Sequence, residues 1–295
     1  MRILITGAHG QLGSELLKQL TEGRNSIGTI PNEYIGADFV GIDIEHIDIT
    51  NSDIIAGYIR ENNFNIIFNC AAFTNVDLCE TDTVSAYAVN ADSPLYMAKA
   101  AKESSTRFIH ISTDYVFSGN DRTPRNENDK TGPETVYGKS KLQGEENVIS
   151  VNADSVIVRT AWLYGLNGKN FVKTILSLAK EKGMLRVVDD QLGNPTNAAD
   201  LAHHLLKLAV SNEDGIFHCT GNGICSWYDF AKEIVRLSGI DAVVEPCTTE
   251  EFKRPAKRPA FSALDNKRLR ETVGDEMREW QDAISEYVHE IIIGI

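Results

Sequence analysis

Tyr137 and Lys141 stand four residues apart in the run Tyr137-Gly-Lys-Ser-Lys141, so a helix would carry both on one face. A phenol beside an ammonium is a proton donor. The cation lowers the phenol's pKa, and the phenol can pass its proton to a carbonyl oxygen while hydride reaches the carbonyl carbon. Thr113, 24 residues upstream of Tyr137, adds a hydroxyl able to steady charge on that same oxygen. A Tyr-x-x-x-Lys by itself is more often a plain helix surface, and Lys139 is read as such a solvated residue. Joined to a strand-end threonine and a cofactor loop, the pair becomes a carbonyl-reducing set that needs no metal.

These side chains require a frame. Gly132-Pro133 breaks the chain just ahead of the helix that starts at Tyr137. Thr113 follows a strand read over Arg107–Ser112, and open α/β sheets bind ligands at the carboxyl ends of their strands. The apolar run Arg2–Thr6 reads as a central parallel strand that breaks at Gly7, and Gly7-Ala-His-Gly10-Gln-Leu-Gly13 leads into a helix with Leu12, Leu16, Leu17 and Leu20 on one side. Glycines there permit the turn, let backbone approach a pyrophosphate and let helix pack closely on strand. The helix amino terminus then offers its unpaired N–H groups to the phosphates.

Val40–Asp43 ends a second strand, so Asp43 is placed to bond the adenosine ribose hydroxyls, which would favour NAD over its phosphorylated relative; a surface turn is its competing role. Asp48 and Ile49 could line the adenine. A helix is expected around 52–61 and a buried strand over Asn65–Cys70, where the small Ala71 and Ala72 would let a cofactor lie across the sheet edge. Asn90 falls near the start of a helix over 92–102, as a cap or as a group orienting backbone near the nicotinamide.

The second half continues with a strand over 155–160, helices over 170–181 and 198–210, and short strands at 186–188 and 215–218. The expected fold class is α/β: a Rossmann-like doubly wound parallel sheet with a smaller C-terminal α/β substrate domain. The NAD(P)-binding domain is expected over 1–162, with later segments free to return to it, and 163–295 is mainly substrate-binding. His203 and His204 are expected at the surface or core edge rather than on a metal, His9 in its loop, and His110 packed and hydrogen-bonded. Trp227 starts a helix whose Phe230 and Ile234 pack inward behind a Ser226 cap, a structural role for the indole. The most basic short run, Lys253–Pro259, could hold a substrate pyrophosphate through Arg258's forked donors, or lock the carboxyl-terminal region. One or two amphipathic helices finish the chain over 266–289.

A formal net charge of −13 argues against a nonspecific grip on nucleic-acid backbones, although a local basic patch still suits an anionic small ligand. The 5 cysteines form no CxxC and no Cys/His metal spacing, which suits the free thiols of a cytoplasmic protein. No apolar run approaches membrane-spanning length, and the opening stretch is too short for a signal peptide. The tail Ile291–Ile295 reads as packed or as a subunit contact.

The stretches GAHGQLG at 7–13, NCAAFTNVDLCE at 69–80, STDYVF at 112–117 and YGKSKLQGE at 137–145 resemble the extended short-chain dehydrogenase/reductases and, within them, the dTDP-4-dehydrorhamnose reductase family. RTAWLYG at 159–165, NF at 170–171, DQLGNPT at 190–196 and RPAFSALDNKRL at 258–269 continue the likeness over nearly the whole chain. The resemblance implies NADH- or NADPH-dependent reduction of the C4 ketone of dTDP-4-dehydro-β-L-rhamnose, with Thr113, Tyr137 and Lys141 at the catalytic positions. It puts Gly7, Gly10, Gln11, Leu12 and Gly13 on the cofactor loop, Asp48 and Ile49 near the adenine, and Ala71, Ala72 and Thr74 on the third cofactor strand. It also sets Tyr115 and Trp162 beside the sugar. Glu15 matches a carboxylate of the family's magnesium-bridged homodimers, a non-catalytic metal site, and is expected to be exposed. Nucleotide-sugar 4,6-dehydratases carry Asp-Glu after the threonine where this chain has Asp114-Tyr115, so a carboxylate that dehydration needs is missing. The catalytic trio alone leaves a nucleotide-sugar epimerase open, and the scaffold alone leaves a cofactor-binding regulatory subunit of the methionine adenosyltransferase type; Trp162 and DQLGNPT favour the reductase.

Overall fold

The apolar run at the amino terminus becomes a central strand. In the computed structural model, which describes residues 1–294, β1 (Arg2–Thr6) lies between β2 (Asp38–Ile42) and β3 (Ile66–Asn69). Outward from β3 follow β4 (Arg107–Thr113), β5 (Val156–Thr160) and β6 (Gly215–His218), with every neighbouring pair parallel. Helices α1 (Gln11–Glu22), α2 (Ser52–Asn62), α3 (Ser93–Glu103) and α4 (Val136–Val151) make the crossovers. Ile3 and Ile5 pack to one face with Leu12 and Leu16 of α1, whereas Leu4 packs to the other with Ile55, Ile59 and Met97. A sheet covered on both faces explains why its strands read as continuous apolar runs instead of alternating ones. The chain leaves β1 for β2 on one side and then returns to β3 on the other, and such a reversal opens a crevice at the strands' carboxyl ends.

The carboxyl-terminal half builds a second body from α5 (Phe171–Lys182) and, further along the chain, two more helices. Its strand Met184–Val188 pairs in parallel with Val243–Cys247, and Val172, Ile175, Leu185, Phe230, Ile234 and Ile284 form its core. Between these segments the chain goes back to the first body. Helix α6 (Ala198–Val210) lays Leu201 and Leu205 into the core shared with α1, and β6 extends the main sheet. It then leaves through α7 (Trp227–Ser238), sends Leu269 of α8 (Lys267–Thr272) into the first core, and ends on α9 (Trp280–Ile293) in the second. After residue 162 the chain thus crosses between the two bodies several times.

The packing of α6 revises two expectations. His203 and His204 are both buried, because α6 is covered by α1 and by the segment around Glu276. His204 bonds the Asp200 carbonyl through Nδ1 at 2.8 Å and accepts the Glu276 amide at Nε2 at 3.0 Å, while His203 Nε2 lies 3.4 Å from the Glu276 carboxylate. Glu15, expected to be exposed, is also buried; burial raises its pKa, and Glu290, Glu22 and Asp200 act in the same direction. Among the described residues no group of three or more His, Cys, Asp or Glu side chains is arranged to hold a metal.

The Gly- and Asn-containing stretch before β2 is tied down by Tyr34, whose hydroxyl donates to the Leu206 carbonyl at 2.8 Å. All 5 cysteines are free thiols. Among the described residues no helix is long and apolar enough to cross a membrane. Ile291 packs on the second core and Ile292 and Ile293 are exposed; Ile295, the end of the apolar tail, lies outside the described residues.

Candidate active site

A cavity of about 750 Å³ runs along the carboxyl ends of the sheet and under the second body, a volume within the usual range for small-ligand and cofactor sites. Its lining includes Gly7, Gly10, Gln11, Leu12 and Gly13 from the β1–α1 turn, Asp43, Asp48 and Ile49 after β2, and Ala71, Ala72 and Thr74 after β3. Gly7 has φ +65°, and a Cβ there would meet the Ala71 amide nitrogen at 2.8 Å, so glycine alone lets these two turns close on each other. Gly10 is the N-cap of α1 and gives it no side-chain acceptor, which leaves first-turn N–H groups for a ligand's phosphates. A dinucleotide's pyrophosphate fits this cradle.

Asp43 is held at the end of β2: its Oδ2 accepts the His9 amide at 3.0 Å and its Oδ1 the Ile44 amide at 2.9 Å. Asp48 folds back onto Thr50, accepting its amide at 2.9 Å and its hydroxyl at 2.6 Å, and these bonds lower its pKa. Beneath the crevice Thr6 Oγ1 donates to Asn69 Oδ1 at 2.8 Å, and Asn69 Nδ2 lies 3.0 Å from His110 Nδ1. Burial drives the His110 pKa well down, which keeps the imidazole neutral and its Nδ1 able to accept. His110 is thus packed and hydrogen-bonded, as its place in the strand suggested.

Helix α4 starts where its first N–H groups find acceptors. Thr135 Oγ1 takes the Gly138 amide at 3.0 Å, and Glu80 Oε1 takes the Val136 amide at 2.9 Å. A Cβ on Gly138 would lie 2.2 Å from the Tyr115 carbonyl oxygen, so glycine lets the helix press against the turn that follows β4. That contact brings Tyr137 to Thr113 and sets its ring edge-on to Tyr115 at 5.4 Å. Lys141, one turn on, is buried and donates from Nζ to the Ile111 carbonyl at 2.6 Å. Glu145 and Arg159, both buried, clamp α4 to β5 through bonds of 2.6 and 2.8 Å. Asn90 sits in a one-turn π-helix before α3 and braces the frame: it bonds both backbone groups of Phe73 and the Ser140 hydroxyl.

Burial pushes the Tyr137 phenol up from its ordinary value, with the Thr113 hydroxyl pulling the other way. The expected lowering by Lys141 is not found, because loss of hydration dominates and the ammonium is turned to the Ile111 carbonyl. Burial also pushes Lys141 down to about 8, against the pull of Glu145. At neutral pH, then, the phenol holds its proton and the lysine still carries its charge. Asp114 is pushed up to about 6 by the same loss of hydration.

The second body supplies the opposite wall. Trp162 adopts φ +47°, a strained conformation for a bulky residue. Its indole stacks on Trp227 at 3.5 Å and donates from Nε1 to Ser262 Oγ at 3.1 Å. Trp227 does open α7 behind its Ser226 cap, but its ring lines the cavity as well as packing. Asn170 caps α5 and bonds Gln11 Oε1 at 3.1 Å, joining this body to the start of α1. Arg258 does not line the cavity. It pairs with Asp77 at 2.9 Å, Arg254 reaches the same carboxylate and Lys257 pairs with Glu134, so in this structure the basic run clasps the first body. Asp114, Asn170, Gln191, Trp227 and Ser262 line the cavity without having been singled out as site residues from the sequence.

A family model described as RmlD substrate binding domain matches residues 1–293. The dTDP-4-dehydrorhamnose reductase of Aggregatibacter actinomycetemcomitans is 39% identical, over 96% of this chain and 97% of that protein. The crystal structure of a dTDP-4-dehydrorhamnose reductase from Clostridium acetobutylicum superposes with a TM-score of 0.92 at 48% identity, covering 99% of each chain. That of the Bacillus anthracis dTDP-4-dehydrorhamnose reductase, in complex with NADP, gives 0.90 at 37% identity, over 98% of this chain and 99% of the other.

Proposed function

The chain belongs to the dTDP-4-dehydrorhamnose reductase family, and from this premise we propose that it reduces the C4 ketone of dTDP-4-dehydro-β-L-rhamnose to give dTDP-β-L-rhamnose. NAD(P)H, when bound, supplies the hydride. The observation that carries the reading is the convergence of Thr113, Tyr137 and Lys141 on the cavity that the β1–α1 glycine turn also lines.

The turn residues Gly7, Gly10, Gln11, Leu12 and Gly13 hold the pyrophosphate on the α1 amino terminus, and Ala71, Ala72 and Thr74 flank the dinucleotide. Lys141 holds the nicotinamide ribose and offers positive charge along the face it shares with Tyr137. Tyr137 passes its hydroxyl proton to the C4 oxygen, a role suited to a phenol that burial keeps protonated at neutral pH. Thr113 hydrogen-bonds the same oxygen as its charge grows. Tyr115 and Trp162 face the sugar, with Trp227 backing the indole. Asp43, with its carboxylate fixed at the end of β2, favours NADH by repelling a 2′-phosphate.

Tyr137→Phe tests this reading. Turnover should drop by about 10²–10⁴-fold while cofactor affinity stays within a few-fold. Wild-type turnover by a folded Phe variant would overturn the assignment.

A further inference from the structure

Thr113 has a single O–H, and in this structure it is already engaged. The hydroxyl donates to Asp114 Oδ1 at 2.8 Å, and the same oxygen accepts the Tyr115 amide at 3.3 Å. A threonine bonded in this way has no proton left for a substrate oxygen. Asp114 is 4% exposed, and its Oδ2 has no hydrogen-bond partner among the described residues.

The Thr113 and Ser262 hydroxyls and the backbone amides of Asp114 and Tyr115 favour the anion, but none of them is a cation and burial outweighs them. Tyr115 beside it and Tyr137 from α4 are both acids, and Ser262 from the carboxyl-terminal segment is neutral. The nearby cations act elsewhere: Lys141 bonds the Ile111 carbonyl and Arg258 pairs with Asp77. Burial accordingly raises the Asp114 pKa to about 6.

We propose that Asp114 is a positioning residue that works as a neutral carboxylic acid, its own O–H donating to Thr113 Oγ and thereby freeing the threonine's O–H for the substrate's carbonyl oxygen. The inference rests on the reading that Thr113 bonds that oxygen. No bond is made or broken and the proton stays on Asp114.

The two protonation states differ in where the donors point. With Asp114 protonated, the Thr113 oxygen accepts from the carboxyl and from the Tyr115 amide, so neither the threonine's proton nor that of Tyr137 has a better target than the ketone. With Asp114 ionised, Thr113 turns its proton to the carboxylate and can accept from Tyr137, so both donors face away from the substrate. A ketosugar closing over the carboxyl removes more water and favours the acid form further.

The test is the pH profile of kcat and KM, measured on full-length wild type, Asp114→Asn, Asp114→Ala and Thr113→Val. Wild-type kcat should fall as pH rises through the ionisation of Asp114 in the ternary complex, with a second fall at higher pH where Lys141 loses its charge. Asp114→Asn, whose amide can donate to Thr113 at every pH, should lose the first fall and keep the second. Asp114→Ala should lower kcat by about 10-fold with a much smaller change in KM, because the Thr113 hydroxyl stays but is no longer held toward the growing charge. An Asn variant that keeps the wild-type first fall overturns the role of Asp114. Thr113→Val with wild-type turnover overturns instead the reading on which it rests. Should the Asn variant not fold, infrared difference spectra of the wild type with oxidised cofactor and product, followed across the pH range of the kcat profile, decide: a protonated-carboxyl band lost in step with the first fall in kcat supports the proposal, and its absence throughout overturns it.

Discussion

Replacing Lys141 with methionine should remove turnover and leave the fold no weaker at neutral pH. The lysine's ammonium is buried, and burial lowers its pKa from the ordinary 10.5 to about 8. A gap of that size corresponds to about 3 kcal/mol by which the charged side chain disfavours folding at pH 7. Methionine fills much of the same space without the charge. Loss of the bond to the Ile111 carbonyl takes back about 1–2 kcal/mol, so a net gain of about 1–2 kcal/mol is expected. The sign has a pH signature. Between about pH 8 and 10.5 the unfolded chain binds a proton that the folded chain has released, so the wild type gains stability relative to the variant as pH rises through that window. Denaturant titrations of both proteins at pH 7 and pH 9.5, with m-values compared, measure the difference. The advantage of the variant should be largest at pH 7 and smaller at pH 9.5. A variant less stable than wild type by about 2 kcal/mol or more at pH 7 would refute the claim that this lysine is kept for chemistry at a cost in stability.

Trp227→Ala removes the ring stacked at 3.5 Å on Trp162 and should raise KM for the ketosugar by up to about 10-fold, with cofactor affinity unaffected; an unaltered KM would take Trp227 out of the substrate wall. Asp43→Asn should shift the ratio of kcat/KM for NADPH over NADH upward by about 10-fold, since a carboxylate at the ribose is removed; a constant ratio would place the 2′-position elsewhere. Glu145→Gln leaves Arg159 buried without its counter-charge and should destabilise the protein by about 3–5 kcal/mol, read from the denaturant midpoint. A change below 1 kcal/mol would mean that water or another group satisfies the guanidinium.

The first half of the site was legible because its signals are local. Gly7, Gly10 and Gly13 announce their turn by following an apolar strand and preceding a helix, and Tyr137 and Lys141 announce one helical face by their spacing. The opposite wall carried no such signal. Trp227 looked like a packing residue of its own helix, and only the return of the carboxyl-terminal body over the crevice puts its indole on Trp162. Ser262 and Asn170 reach the cavity by the same tertiary route; the family likeness covered the stretches that contain them without separating wall from support. Burial was equally invisible where two elements share it. Glu15 reads as a surface residue of an amphipathic helix until α6 covers α1, and His203 and His204 are enclosed where α6 meets the segment around Glu276. The sign of the Tyr137 shift followed from burial depth, which spacing does not report.

The most direct test is a stoichiometric one. Purified chain would be given dTDP-4-dehydro-β-L-rhamnose with NADH or NADPH, cofactor absorbance followed and the sugar product identified. One dihydronicotinamide oxidised for each dTDP-L-rhamnose formed is the expected result. Sugar converted without net oxidation would point to an epimerase, and a folded, cofactor-binding chain that oxidises neither cofactor would contradict the reductase reading outright.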